Sequence, residues 1–429
     1  MKEFGLVLRN ATIIIGSRIE QRNIGIRKGI IEEISQERLM SLYSIDCKGK
    51  FLLPGLIDCH VHFRVPGMEQ KEDWQTGSSA ALAGGVTTVF DMPNTNPALT
   101  TIELLEQKKA IVEQDSKCNF AFHFGAANNN LAELEKLEKR MGIVSIKVFL
   151  GSSTGDLLVT DENTLKKIFA VAKAKDLPVC VHAEDEATIQ KNIAEAKSKG
   201  WNSAEYHAQI RSNEAEAIAI ERALRLQEEI GNRLHICHVS TAQGIELIEK
   251  TKQKTREVTC EVAPHHLFLT EHETKILGNF GKVNPPLRSE EDRDALWKAI
   301  NKGVVDCIAT DHAPHTVEEK LQDYWNAPAG LPGVETMLPL LLNACASEKI
   351  SLQQIQKLCS ENPAKLFGLP NVGAIRRGCR ADLVLVSLEG ETTIKNDCLK
   401  SKCKWSPFNE RVLKGKIEKV FLAGKEVEL

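Results

Sequence analysis

A chain of 429 residues is too long for one small core and suits a large barrel with an accessory unit, since domains commonly run ~100–200 residues and α/β barrels ~250. Lysine plus arginine (55) nearly balance aspartate plus glutamate (58), and no basic block occurs, so nucleic acid is excluded as an expected partner and a small polar substrate is favoured. No stretch approaches the ~18 uninterrupted apolar residues of a membrane span, and MKEFGLVLRNATIIIG at the start alternates like a strand without a small-residue cleavage site. A cytoplasmic protein without a membrane anchor is expected.

Residues 1–54 read as short strands with turns at Gly25 and Gly29, and residues 376–429 repeat that style in RADLVLVSL and KGKIEKVFLAGKEVEL. The two ends are expected to build one small accessory β-sandwich around a different middle. Between them, residues 55–375 alternate strand-like and helical stretches, the pattern of parallel βαβ units. The expected strands cover 56–63, 87–93, 119–127, 145–150, 178–184, 234–241, 259–266 and 306–314. Eight strands close a (β/α)8, TIM-type barrel, and amphipathic stretches such as TIELLEQKKAIVEQ and SNEAEAIAIERALRLQEEIG supply its helices. None of the twelve cysteines forms a CxxC pair; Cys59, Cys180, Cys237, Cys260 and Cys307 lie in apolar runs and are expected to be buried free thiols.

Polar residues concentrate at the C-terminal ends of these strands, where the loops of such a barrel open and its active sites lie. His60 and His62 alternate on one strand, so both imidazoles can face the same side. His182, His238 and Asp311 end the fifth, sixth and eighth strands. Four imidazoles and a carboxylate at one rim form a natural ligand set for zinc and a costly set of unpaired polar groups otherwise. Lys147, on the fourth strand, points to the same place. It either pairs with a carboxylate or helix end, or is carbamylated and anionic, because an ammonium beside cations is repelled; the carbamate is preferred. Asp58 is expected to accept an imidazole N–H behind the ligands, and Glu184 either does the same or faces solvent. His265 and His266 are assigned to no metal.

The motifs PGLIDCHVHFRVPG, ALAGGVTTVFDMPNTNP, SIKVFLGSSTGD, VCVHAED, LHICHVST, CEVAPHHLFLT, KVNPPLRSEEDRDALW, IATDHAPHT and AGLPGVETMLPLLL, in this order, resemble the amidohydrolase superfamily and within it the dihydroorotases. The resemblance implies two zinc ions. One would be held by His60, His62, carbamylated Lys147 and Asp311, with Lys147 bridging to the second on His182 and His238. It implies a clamp for a substrate carboxylate made of Arg64, Asn94 and His315, and ring contacts from Asn284 and the backbone of Ala329 and Gly330. The implied reaction is reversible hydrolysis of L-dihydroorotate to N-carbamoyl-L-aspartate in pyrimidine biosynthesis. A hydroxide bridging the zincs would be the nucleophile, and Asp311 would shuttle the proton. Asp156 competes with Lys147 for the bridging role, since some long-chain bacterial members use an aspartate there. The loop Gly151–Asp156 reads as a lid carrying Ser153 or Thr154, or as an ordinary loop. The resemblance also implies a homodimer. Rival readings are a hydantoinase or allantoinase on the same barrel and a non-catalytic scaffold homologue.

Overall fold

Eight parallel strands form one sheet in sequential order: β6 (Leu56–Val61), β7 (Val86–Asp91), β8 (Asn119–Gly125), β9 (Ile143–Phe149), β10 (Val179–His182), β11 (Leu234–Ile236), β12 (Val258–Val262) and β13 (Cys307–Ile308). The computed structural model describes residues 3–16, 18–152 and 157–428. A parallel bridge from Val61 to His312 joins the first strand to the segment after the last, with His62 N–H donating to His312 O at 2.8 Å. The sheet is thereby brought round into the expected barrel.

All eight strands of the sequence reading are present, yet β11 and β13 are far shorter than expected. Their ladders stop because the chain turns just beyond them: His238 and Asp311 adopt φ of 32° and 47°, in the left-handed region where a strand cannot continue. The helices follow the sequence signals closely. Thr101 and Ser212 cap the helices Ile102–Asp115 and Asn213–Ile230 through their hydroxyls, and Gly231 ends the second at φ 74°.

The accessory unit is a single mixed sheet built from β1 (Glu3–Ile15), β2 (Arg18–Arg27), β3 (Ile30–Ser35), β4 (Met40–Asp46) and β5 (Phe51–Pro54), joined to β14 (Leu383–Thr393), β15 (Val412–Leu422) and β16 (Lys425–Val427). The two ends of the chain meet where β5 pairs antiparallel with β14. Strand alternation fastens this sheet to the barrel. Ile13, Leu52, Leu383, Leu385 and Phe421 pack into the sheet's own core, while their neighbours Ile14, Leu53, Val384, Val386 and Val420 join the barrel core. The five cysteines named above are buried free thiols, four of them lining the barrel's interior cluster with Phe90 and Phe367.

Candidate metal centre

The first strand delivers His60 and His62 to the barrel mouth, and each imidazole is oriented by an acceptor behind it. His60 Nδ1 lies 2.5 Å from Glu261 Oε1, and His62 Nδ1 lies 2.7 Å from Asn94 Oδ1. Both Nδ1 atoms therefore carry the hydrogen, and both Nε2 atoms present lone pairs. These lone pairs meet Asp311 Oδ1 at 3.2 and 3.0 Å. Burial, reinforced by the Lys147 charge, pushes the His60 imidazole down to about 4; burial and the Arg64 charge hold His62 well below the usual histidine range. Three acceptors thus converge in a buried place where a carboxylic proton could serve only one of them. A cation satisfies all three, and this donor set suits zinc.

A second pair stands beside the first. His182 Nε2 is 2.8 Å from Glu184 Oε2, which leaves Nδ1 as the lone-pair nitrogen, 3.0 Å from His238 Nε2. Glu184 is itself held by Arg211 Nε at 3.1 and 3.0 Å. The open choice for Glu184 is settled: it is fully buried and orients His182. The rings form one contiguous patch, with centroids 5.4 Å apart for His60–His62, 5.2 Å for His60–His238 and 4.8 Å for His182–His238. Lys147 is fully buried among them, its Nζ 3.1 Å from Cys237 Sγ, and its charge acts on His60, His62, His182 and His238 and on Asp311.

Asp58 requires a correction. Its carboxylate touches no imidazole; it accepts from Thr310 Oγ1 at 2.5 Å, Thr310 N at 3.0 Å and His60 N at 3.2 Å. Two strand positions below His60, or about 7 Å, it reaches the neighbouring strand end rather than the ring. Burial pushes its pKa up to about 7 against those hydrogen bonds. The imidazole acceptor is instead Glu261 on β12, which also takes His235 Nε2 at 3.1 Å, Cys59 Sγ at 3.3 Å and His238 N at 3.2 Å. His265 and His266 are buried with ring centroids 4.3 Å apart; His266 Nε2 lies 3.0 Å from Pro285 O, and neither belongs to the ligand groups found among the described residues.

Next to these side chains, Arg64 is 1% exposed at φ 69°. Its Nε donates to Pro314 O at 3.2 Å and a terminal nitrogen lies 3.2 Å from His315 Nε2. No carboxylate among the described residues forms an ion pair with it, and burial lowers its pKa to about 10. His315 Nε2 is also 3.1 Å from Ala329 O, and at Gly330, φ 149°, a Cβ would stand 2.9 Å from that nitrogen. Arg64, His315, Ala329 and Gly330 are thus together, while Asn94 reaches the group through His62. Asn284 Oδ1 is 2.9 Å from His207 Nε2, and Asn284, Ala329, Arg211 and Lys282 line a cavity of about 300 Å³. Ser153, Thr154 and Asp156 lie outside the described residues.

The amidohydrolase family pattern matches residues 51–427. This chain belongs to the amidohydrolase family. Like its relatives, this amidohydrolase is a hydrolase enzyme. It is 41% identical to the dihydroorotase of Halobacterium salinarum over 361 residues, covering 84% of this chain and 82% of that one. It is 39% identical to the dihydroorotase of Methanosarcina acetivorans over 414 residues, covering 94% and 87%. Among solved structures it is similar to the L-hydantoinase (dihydropyrimidinase) of Arthrobacter aurescens, with a TM-score of 0.95 at 31% identity over 99% of this chain and 96% of the other. No helix among the described residues is long and apolar enough to cross a membrane.

Proposed function

We propose that this amidohydrolase is a dihydroorotase, catalysing reversible hydrolysis of L-dihydroorotate to N-carbamoyl-L-aspartate in pyrimidine biosynthesis. One observation carries the choice over a hydantoinase: Arg64 is a buried guanidinium with a carbonyl and an imidazole as neighbours and no carboxylate ion pair among the described residues. A buried cation of this kind is stabilised by an anionic ligand, and dihydroorotate carries a carboxylate that a hydantoin lacks. The dihydroorotase relatives support the same reading. Side-by-side turnover tests it: dihydroorotate is expected to be hydrolysed with the higher kcat/KM, and preference for hydantoin would reverse the assignment.

His60, His62 and Asp311 would hold one zinc and His182 with His238 a second, with a carbamate on Lys147 between them. When bound, the metals supply Lewis acidity and bring the pKa of water from about 15.7 toward 7. Asp311, whose oxygen lies within 3.2 Å of both first-strand imidazoles, takes the proton of the attacking water and returns it to the departing ring nitrogen. Arg64, His315 and Asn94 hold the carboxylate, and Asn284 with the backbone of Ala329 and Gly330 holds the ring, so the scissile amide meets the water in a fixed pose. Metal analysis should return two zincs per chain, and labelled bicarbonate should give a carbamate carbon signal that Lys147→Arg abolishes. The accessory unit is assigned to residues 1–54 and 376–429 and the barrel to 55–375. A cytoplasmic homodimer is part of the same proposal, with light scattering its direct check.

A further inference from the structure

Seven residues beyond the eighth strand the chain reads HisThrValGluGlu (315–319), and this short stretch fixes the chemistry of one ring. Thr316 caps the helix Val317–Lys320 in a reciprocal box: Glu319 N–H donates to Thr316 Oγ1 at 3.2 Å and Thr316 N–H to Glu319 Oε2 at 3.1 Å. The Glu319 carboxylate is therefore immobilised, and its other oxygen receives Lys71 Nζ at 3.0 Å. Lys71 comes from the loop after β6, 244 residues away, and its ammonium lies 3.1 Å from His315 Nδ1. Trp405 Nε1 anchors the same residue by donating to His315 O at 2.8 Å.

Each ring nitrogen faces a group that only donates, Lys71 Nζ at Nδ1 and Arg64 at Nε2, but Nε2 also has an acceptor within reach, Ala329 O at 3.1 Å, so the lone pair belongs on Nδ1. The competing arrangement would have Nδ1–H donate to Glu319 Oε2, but that separation is 3.7 Å, beyond hydrogen-bond reach. Burial and the nearby Arg64, Lys71 and Lys320 cations, opposed by Glu319, keep the ring neutral, so it has one hydrogen and that hydrogen is on Nε2. In the free protein that hydrogen is given to Ala329 O at 3.1 Å, and a substrate carboxylate oxygen would share it, with the Arg64 terminal nitrogen 3.2 Å away. Two donors, a guanidinium N–H and an imidazole N–H, then lie side by side, an arrangement that an anionic oxygen between them would relieve.

We propose that Lys71 is a positioning residue that locks His315 in the Nε2–H tautomer and so makes it a donor to the substrate carboxylate. The identity of that carboxylate rests on the dihydroorotase reading; the tautomer does not. Removing the ammonium frees Nδ1 to take the hydrogen, and Nε2 then turns a lone pair toward the anion.

Long-range proton–nitrogen correlation spectra of histidine-labelled holoenzyme, with His315 assigned from a His315→Asn sample, read the tautomer without any substrate. In the parent enzyme Nδ1 is expected to resonate as an unprotonated nitrogen and Nε2 as a protonated one. Lys71→Met should lose that pattern and raise KM for dihydroorotate about ten- to a hundredfold, the loss of one hydrogen bond to a charged group, with kcat changed less than about threefold. Lys71→Arg, which keeps a donor, should restore both the spectrum and KM to within a few fold. A protonated Nδ1 in the parent enzyme, or a Lys71→Met enzyme with parental tautomer and KM, overturns the proposal. Absence of any dihydroorotate turnover with the expected spectrum would overturn the substrate reading and leave the tautomer standing.

Discussion

Replacing Arg64 by alanine separates the two cyclic-amide substrates that the barrel could serve. The side chain is 1% exposed and its near neighbours are Pro314 O and His315 Nε2, both at 3.2 Å. Truncating one member of a buried charge pair costs ~2–5 kcal/mol, which is a factor of about 30 to several thousand in kcat/KM for a substrate whose carboxylate completes the pair. A neutral hydantoin has nothing to lose at that position, so its kcat/KM should change less than about threefold. The free protein should melt no lower, because a guanidinium buried without a carboxylate ion pair among the described residues is costly and alanine tolerates φ 69° no worse than arginine does. Initial rates of ring opening, followed by ultraviolet absorbance for both substrates, with a thermal melt of the same preparation, make the comparison. Arg64→Lys should fall between, since a point charge cannot reproduce the planar fork. Equal losses on both substrates, or a melt several degrees lower, would show that Arg64 supports the scaffold and would sink the carboxylate clamp.

Glu261→Ala should weaken zinc retention about 10–100-fold, the usual effect of removing the group that orients a ligand histidine, whereas Glu261→Gln should lose less; metal content after dialysis against graded chelator measures both. Gly330→Ala places a Cβ 2.4 Å from Ala313 O and 2.9 Å from His315 Nε2 and adds strain of ~1–3 kcal/mol at φ 149°; a drop of at least about tenfold in kcat/KM with circular dichroism unchanged is expected, and parental kinetics would contradict the packing. Glu335 is mostly buried and accepts from Lys400 N at 2.8 Å, and burial raises its pKa to about 7 from 4.5. Its folded-state pKa being the higher one, the folded chain holds this proton between those values while the unfolded chain does not. Stability from this group is therefore present at pH 4.5 and lost as pH rises to 7, by about 3 kcal/mol at most. Glu335→Gln removes the loss, so its denaturation midpoint relative to the parent should rise between pH 5 and pH 8; a constant difference would refute the assignment.

Much of this site could be read from local sequence because the proposed ligands sit at strand ends, where an apolar run stops and polar residues begin. The spacing of His60 and His62 is itself geometric information, and His182, His238 and Asp311 each follow an apolar stretch that could only be a barrel strand. What local pattern does not carry is contact across the barrel. Glu261 lies inside CysGluVal with nothing to distinguish it from a solvent-facing strand residue, and its partner His60 is 201 residues away. Asp58 looked better placed because it is close in sequence, yet the neighbouring strand end at Thr310 claims it first. The one available signal was the cost of a carboxylate within an otherwise buried strand: such a residue must meet donors, and polar side chains of the other strands, His60 among them, are where a barrel interior supplies them.

The short final strands have a cause that links fold to chemistry. Arg64, His238 and Asp311 all occupy positive φ, each at the mouth and each carrying a side chain assigned to substrate or metal. Left-handed backbone at such residues costs ~1–3 kcal/mol apiece and persists only where surrounding contacts dictate it. Such contacts surround them: His62 N–H on His312 O closes the seam, Asp58 grips Thr310 just before Asp311, and Glu261 receives His238 N–H. Each turn swings its side chain inward where a continuing strand would alternate it away. The acids below the rim, Asp58 and Glu261, therefore act first on backbone geometry: they hold strained turns at the mouth, where His60 and His62 come within 3.2 Å of Asp311 from the opposite end of the sheet. It follows that a change at Asp58, which touches no ligand ring, should still disturb metal retention through Thr310 and His60, and that this disturbance should accompany a loss of stability which the Arg64 variant lacks.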